Sequence, residues 1–91
     1  MDFQVGERVK IRSRKDLLCE YGMDQLERLY VPYVSEQDQI SRTYHNPRMD
    51  KYKDIITKIT VVHRWGTFEL EDCEDWEWNS NMVYKLNETE V

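Results

Sequence analysis

The chain reads as a single, mostly-β domain, and three stretches predict it. From Phe3 to Arg12 the residues alternate after Gly6, with Val5, Val9 and Ile11 on one side and Arg8, Lys10 and Arg12 on the other. A period of two means a half-buried strand. Ile55 to His63 runs Ile-Ile-Thr-Lys-Ile-Thr-Val-Val-His, a β-branched composition that suits a pleated surface. Phe68-Glu69-Leu70-Glu71 and Trp76-Glu77-Trp78 alternate again, on either side of the turn residues Asp72-Cys73-Glu74-Asp75.

The remaining segments fall between these strands. Ser13 is an N-cap, and Asp16 three residues on places an acid in the first turn. A short helix over Lys15–Tyr21 follows, closed by Gly22 in the C′ position. Leu26, Leu29 and Tyr30 recur at i, i+3, i+4, so a second helical turn is expected from Asp24 until Pro32 stops it. Residues 34–50 carry few apolar anchors, only Ile40, Tyr44 and Met49 after Val34. They read as a long connection, which in a small domain is functional or mobile. Arg64-Trp65-Gly66-Thr67 is a hairpin turn with Gly66 placed for positive φ. Asn79-Ser80-Asn81 is a short turn before a last strand through Met82, Val83 and Tyr84. Period-two placement makes Val9, Ile11, Ile59, Val61, Phe68, Leu70 and Trp76 the expected core.

Ninety-one residues leave room for one core. A domain this small buries only about 60% of its extended-chain surface. Three Trp, six Tyr and two Phe are the economical filling, since each aromatic buries about 150–250 Å². No apolar run approaches the roughly 18 residues that cross a bilayer. The start, Met1-Asp2-Phe3-Gln4-Val5-Gly6, lacks the basic, apolar, small-residue order of a signal peptide. The expectation is a cytoplasmic protein, with Cys19 and Cys73 as reduced thiols outside any CxxC pair.

The net charge of −5 is unevenly spread. Residues 1–67 hold 12 Lys/Arg against 10 Asp/Glu, a net +2, and residues 68–91 hold one Lys against eight acids, a net −7. That acidic half disfavours gripping a phosphate backbone with the whole chain. It suits a basic protein partner, or a surface that imitates nucleic-acid charge.

The order is strand, helical insertion, antiparallel meander, short turn, closing strand, which is that of a small SH3-like barrel. Val5-Gly6-Glu7-Arg8-Val9-Lys10-Ile11-Arg12-Ser13 resembles the "VGDRVRIRS" opening of a group of small phage and mobile-element proteins. Tyr52-Lys53-Asp54 to Thr60, then Phe68-Glu69-Leu70, then Trp76-Glu77-Trp78-Asn79-Ser80-Asn81-Met82 resembles their closing half, a "YxGKxxTI" strand, a "YxL" strand and a "WxWSxxM" end. The likeness covers the two ends of the chain and not residues 23–51. Asp54 stands where the group tends to have Gly. The resemblance implies one SH3-like barrel over residues 1–91 with a helical and loop insertion over about 14–51. It is nearly silent on mechanism, because such barrels serve many functions.

Two charged features compete as the functional surface. Glu69, Glu71, Asp72, Glu74, Asp75 and Glu77 put six acids in nine residues with no base among them. They read either as a phosphate-mimicking patch for a basic groove, or as solubilising charges that guard sheet edges. Arg8, Lys10, Arg12 and Arg14 recur every second residue and would share one solvent face of a continuing strand. They read as a nucleic-acid-binding ridge, or as a solvated face paired with neighbouring acids. Trp65, at a turn tip, is the aromatic expected to be exposed as an interface anchor.

Catalytic constellations are sparse. His45 and His63 are the only imidazoles, and His63 continues an apolar strand. A Cys19–His45 thiol–imidazole pair has no local sequence to activate it. Two Cys and two His scattered singly make no zinc site, the acids lack the alternation of a calcium loop, and three isolated glycines make no phosphate loop. The reading is therefore a non-enzyme without metal or cofactor, and the acidic charge together with the resemblance implies a module of phage type that binds a host protein of basic surface, as an inhibitor of a nuclease or CRISPR effector. A nucleic-acid-binding barrel and a virion structural or assembly subunit are the alternatives.

Overall fold

The computed structural model describes residues 3–35, 37–73 and 75–86. In chain order the elements are β1 (Arg8–Ile11), α1 (Arg14–Tyr21), β2 (Tyr30–Val34), β3 (Ile40–Tyr44), a 3-10 helix (Pro47–Tyr52), β4 (Ile56–Val62), β5 (Phe68–Leu70) and β6 (Val83–Lys85). The fold is mostly β. One antiparallel sheet has the order β5-β4-β1-β6, and β2 and β3 form a second, two-stranded sheet. The strands do not close into a barrel among the described residues.

β1 is the centre of the larger sheet. It pairs with β4 through Val9↔Thr57 and with β6 through Val9↔Lys85. Val9 and Ile11 are fully buried, as their alternation predicts. The Ser13 hydroxyl caps α1 by accepting from the Asp16 N–H at 3.1 Å, and Gly22 at φ 70 ends it by donating to the Leu18 carbonyl at 2.9 Å. Only Leu17 of this helix is fully buried.

The second predicted helix does not form. The Asp24 carboxylate accepts from the main-chain N–H groups of Leu26 (2.9 Å) and Arg28 (2.8 Å), and the Asp24 N–H donates to the Arg28 carbonyl. These local bonds offer the backbone an alternative to the helix ladder. Glu27 sits at φ 60 within the turn, Leu26 is exposed, and Leu29 alone enters the core. Residues 34–50 are likewise not one long connection. They complete the β2–β3 hairpin and begin the 3-10 helix, which Asn46 caps from its side chain to the Arg48 N–H at 2.9 Å.

Val61, expected in the core, is 41% exposed. Along β4 the register runs Ile59↔Leu70, then Val61↔Glu69 and Val62↔Phe68, so a bulge adds one residue between Ile59 and Val61. A one-residue slip exchanges the two faces of a strand. Val61 turns outward beside Glu69, and Val62 turns in. Trp76–Trp78 is not a strand either. A single bridge joins Trp78 to Phe68. Trp78 is fully buried, whereas Trp76 is partly buried against the core. Met49, Leu29, Val31 and Met82 complete a core that strand alternation did not predict.

Asp54, in the place where the resembling proteins tend to have Gly, is at φ 63. Its N–H donates to the Ile11 carbonyl at 2.8 Å, and Ile55 then accepts from the Ile11 N–H. This left-handed turn sets β4 against β1. Asp tolerates the conformation, Gly adopts it without penalty, and a β-branched residue does not. Asp54→Val is expected to lose about 1–2 kcal/mol, and Asp54→Gly to stay within about 0.5 kcal/mol of the parent. Urea denaturation of the two variants checks this. A Val variant as stable as the parent would remove the backbone explanation.

Candidate partner-binding surface

The β4–β5 hairpin turn is built by Gly66. Its N–H donates to the His63 carbonyl, and its φ of 109 lies where side chains rarely go. A Cβ there would meet Tyr33 Cε2 at 3.1 Å and the Ser35 Cα at 3.4 Å. Glycine thus lets the turn lie against β2 and leaves Trp65 at its tip, 48% exposed. The Trp65 indole stacks on the His63 ring (centroids 4.5 Å, planes 4° apart). Its Nε1–H donates to Glu77 Oε1 at 2.9 Å, and the Thr67 hydroxyl donates to the same oxygen at 2.7 Å. Stack and hydrogen bond together fix one exposed orientation of the ring.

The acids around this tip differ in their surroundings. Glu69 faces outward on β5, with its Oε2 3.1 Å from His63 Nε2. Glu71 lies 3.9 Å from Lys58 Nζ. Asp72, at φ 66, and Asp75 are exposed in the turn. Glu77 is exposed and holds Trp65, and Glu74 lies outside the described residues. The structure therefore joins Glu77 to Trp65 directly and Glu69 to it through His63. An exposed indole with a carboxylate at its N–H edge is suited to a cation, which gains from the ring quadrupole and from the negative charge.

The predicted basic ridge does not share one solvent face. Arg8 is exposed and Lys10 half-buried on the outer side of β1, but the chain leaves the strand at Ile11. Arg12 is only 8% exposed. Its guanidinium donates to Asp16 Oδ2 (2.8 Å), Glu20 Oε1 (2.6 Å) and the Asn81 carbonyl (2.9 Å), and it lies over the Tyr84 ring at 5.2 Å. The hydrogen bond to Asp16, with help from Glu20, holds Arg12 firmly charged against the opposing effect of burial. Arg12 in turn keeps the Asp16 carboxyl below the usual range, aided by the Tyr84 hydroxyl, which donates to it at 2.6 Å. This cluster ties β1, α1 and β6 together. Arg14 begins α1, and its Nη1 contacts His45 Nδ1 at 3.0 Å and donates to the His45 carbonyl at 2.6 Å.

His45 is fully buried, and Cys19 is exposed on α1. No thiol–imidazole pair is formed, and Cys19 and Cys73 are not bridged. Burial, and then the Arg14 charge, push the imidazole down to about 4, against a smaller opposing effect of Asp50. Among the described residues no three His, Cys, Asp or Glu side chains are placed to hold a metal ion, and no helix is long and apolar enough to cross a membrane.

No family model, curated protein or solved structure matches the chain.

Sequence reasoning missed a cleft of about 160 Å³ lined by Tyr21, Met23, Arg28, Tyr30 and Arg42, among others. The alternation Ile40-Ser41-Arg42-Thr43-Tyr44 was the available signal, hidden by the low hydrophobicity of the segment.

Proposed function

We propose that the chain is a non-catalytic protein-binding module that presents its Trp65 tip and the surrounding carboxylates to a basic surface on a partner. The observation that carries this reading is the fixed, half-exposed Trp65 with its N–H on the Glu77 carboxylate. An aromatic already held in one orientation loses little freedom on binding, and such residues anchor interfaces. The acids of residues 69–77 would steer a basic site toward it. The nucleic-acid alternative is weakened because Arg12 and Arg14 are engaged inside the molecule.

A small SH3-like barrel is the proposed fold family. Its support is the order β5-β4-β1-β6, with Trp78 bridging beyond β5 and α1 and the β2–β3 hairpin inserted after β1. With the resemblance to phage proteins, this points to a host-cell cytoplasmic partner such as a nuclease or CRISPR effector, whose basic nucleic-acid groove the acidic face would occupy.

The test uses the partner recovered by affinity capture. Trp65→Ala is expected to weaken binding by about 2 kcal/mol or more, mostly through faster dissociation. Neutralising Glu69, Glu71, Glu74 and Asp75 to Gln or Asn leaves Glu77 to hold the ring. That variant should slow association and flatten its salt dependence. A folded quadruple variant that binds as tightly as the parent at low and high salt would reduce the acids to a solvated face.

A further inference from the structure

The outer edge of β3 is open, whereas on β2 the outward Pro32 carbonyl is already taken. The hairpin register pairs Tyr30↔Tyr44, Val31↔Thr43, Pro32↔Arg42, Tyr33↔Ser41 and Val34↔Ile40. The His45 N–H donates to the Leu29 carbonyl, and the Ser35 N–H to the Gln39 carbonyl. These two bonds identify the hydrogen-bonded pairs as the ones containing Leu29, Val31, Tyr33 and Ser35. Pro32, which has no N–H, falls in the other set. In an antiparallel pair the remaining residues point their main-chain groups away from the partner. On β2 the outward group at Pro32 meets the Asn79–Asn81 turn. The Asn81 side chain donates to the Pro32 carbonyl at 2.7 Å, and Pro32 itself offers no donor. On β3 the N–H and C=O groups of Ile40, Arg42 and Tyr44 face outward, and no further strand pairs with them among the described residues.

The side chains along this edge are exposed too. Ile40 is 80% exposed, its cross-strand neighbour Val34 59% and Tyr44 41%. Arg42 lies between Ile40 and Tyr44 on the same face, with its guanidinium 5.1 Å from the Tyr30 ring centroid and no carboxylate partner among the described residues. Arg28 lies over the same ring at 5.4 Å with its charge paired to Asp24 at 3.1 Å, and the cleft beside Tyr21 is lined by these residues and Arg42, whose charge is left to a partner. A guarded edge is expected to be short and charged without exposed apolar neighbours. Here the charge is flanked by Ile40 and Tyr44.

We propose that β3 takes up an extended acidic segment of a partner protein as an added strand. The main-chain groups of Ile40, Arg42 and Tyr44 supply the ladder, as in other strand additions. Apolar side chains of the segment cover Ile40 and Tyr44, and its carboxylate meets Arg42. Charge selects this occupant over a second copy. Antiparallel self-pairing of Ile40–Tyr44 about a twofold axis would bring Arg42 against its own mate, and like charges directly opposite destabilise a sheet. The surface is separate from the Trp65 tip and asks for a partner of opposite charge.

The experiment selects a random-peptide display library on the intact chain and measures binding of the enriched peptides as synthetic probes. The expected peptides alternate acidic and β-branched or aromatic residues, and amide shifts on binding concentrate in Ile40–Tyr44. Two variants separate the ladder from the charge. Ile40→Pro removes one outward N–H that β2 does not use, and Arg42→Glu reverses the charge. In protein whose amide spectrum shows the parent fold, each should weaken the probes by about tenfold, while Trp65→Ala leaves them unchanged. Enrichment of basic peptides, shifts centred on Trp65, a self-associated chain that Arg42→Glu dissociates, or indifference to both β3 variants would each overturn the proposal.

Discussion

Trp78→Ala is expected to remove a large share of the domain's stability. The Trp78 side chain is the largest that is fully buried. Its ring meets Tyr52 edge-on at 6.2 Å and His45 at 6.5 Å, and its N–H reaches the Cys73 carbonyl at 3.5 Å. Its main chain exchanges both hydrogen bonds with Phe68, at 2.8 and 2.9 Å. The indole therefore joins the edge of the larger sheet to the segment that leads into the 3-10 helix. Removing it costs the transfer free energy of the ring and leaves a cavity between elements that cannot collapse together, about 3–5 kcal/mol. Small domains hold about 5–15 kcal/mol in total. Trp76, in the same alternation but only partly buried, should cost about 1–2 kcal/mol when truncated. Denaturant titration followed by circular dichroism distinguishes them. Equal losses for the two variants, or an unshifted midpoint for Trp78→Ala, would mean that the core is not centred on Trp78.

The sequence pattern was most legible where one period governed a whole element. Val9 and Ile11, the Ser13 cap, the strand after Ile55 and the Gly66 turn all followed from residues within a few positions of one another. The failures have local physical causes. The i, i+3, i+4 spacing of Leu26, Leu29 and Tyr30 mimicked a helix, but the Asp24 carboxylate took the N–H groups of Leu26 and Arg28. Val61 followed the alternation of its strand until the bulge reversed the faces. The β2–β3 hairpin escaped because its outer face keeps Ile40, Arg42 and Tyr44 in solvent, so half of its alternation carries no burial signal. On the candidate surface, the exposure of Trp65 was readable from its place beside Gly66. Its bond to Glu77, twelve residues away, depends on how the 72–77 turn folds back, which no local pattern encodes. The basic ridge failed for a similar reason: continuing the strand beyond Ile11 placed Arg12 in solvent, whereas the helix begins at Arg14 and brings Asp16 and Glu20 around it.

Acidification from pH 6.5 to about pH 4 is expected to remove about 3 kcal/mol of stability through His45 alone. Arg14 has only donors to offer, so its contact at 3.0 Å makes His45 Nδ1 the acceptor and puts the ring proton on Nε2. That atom is buried with no hydrogen-bond partner. Protonating Nδ1 would set two cations face to face in a buried site, which Asp50 and the His45 main chain offset only in part. The native imidazole therefore stays neutral down to about 4, whereas in the unfolded chain it takes up a proton near 6.5. Between those values the unfolded state binds more protons, so stability falls as pH falls; well above 6.5 the group contributes no slope. A difference of this size between the two states corresponds to about 3 kcal/mol. The carboxylates of Asp16, Glu20 and Asp24, all held below their ordinary range by hydrogen bonds, lose their contributions only as pH falls through about 4 and lower. The interval from pH 6.5 to 4.5 is thus dominated by the histidine, with Glu20 beginning to contribute at its lower end. Urea midpoints measured across it should decline steadily in the parent protein and much less in His45→Phe, which fills the site without titrating. A parent midpoint that stays flat over that interval would show that His45 reaches solvent or leaves Arg14 when it takes up its proton.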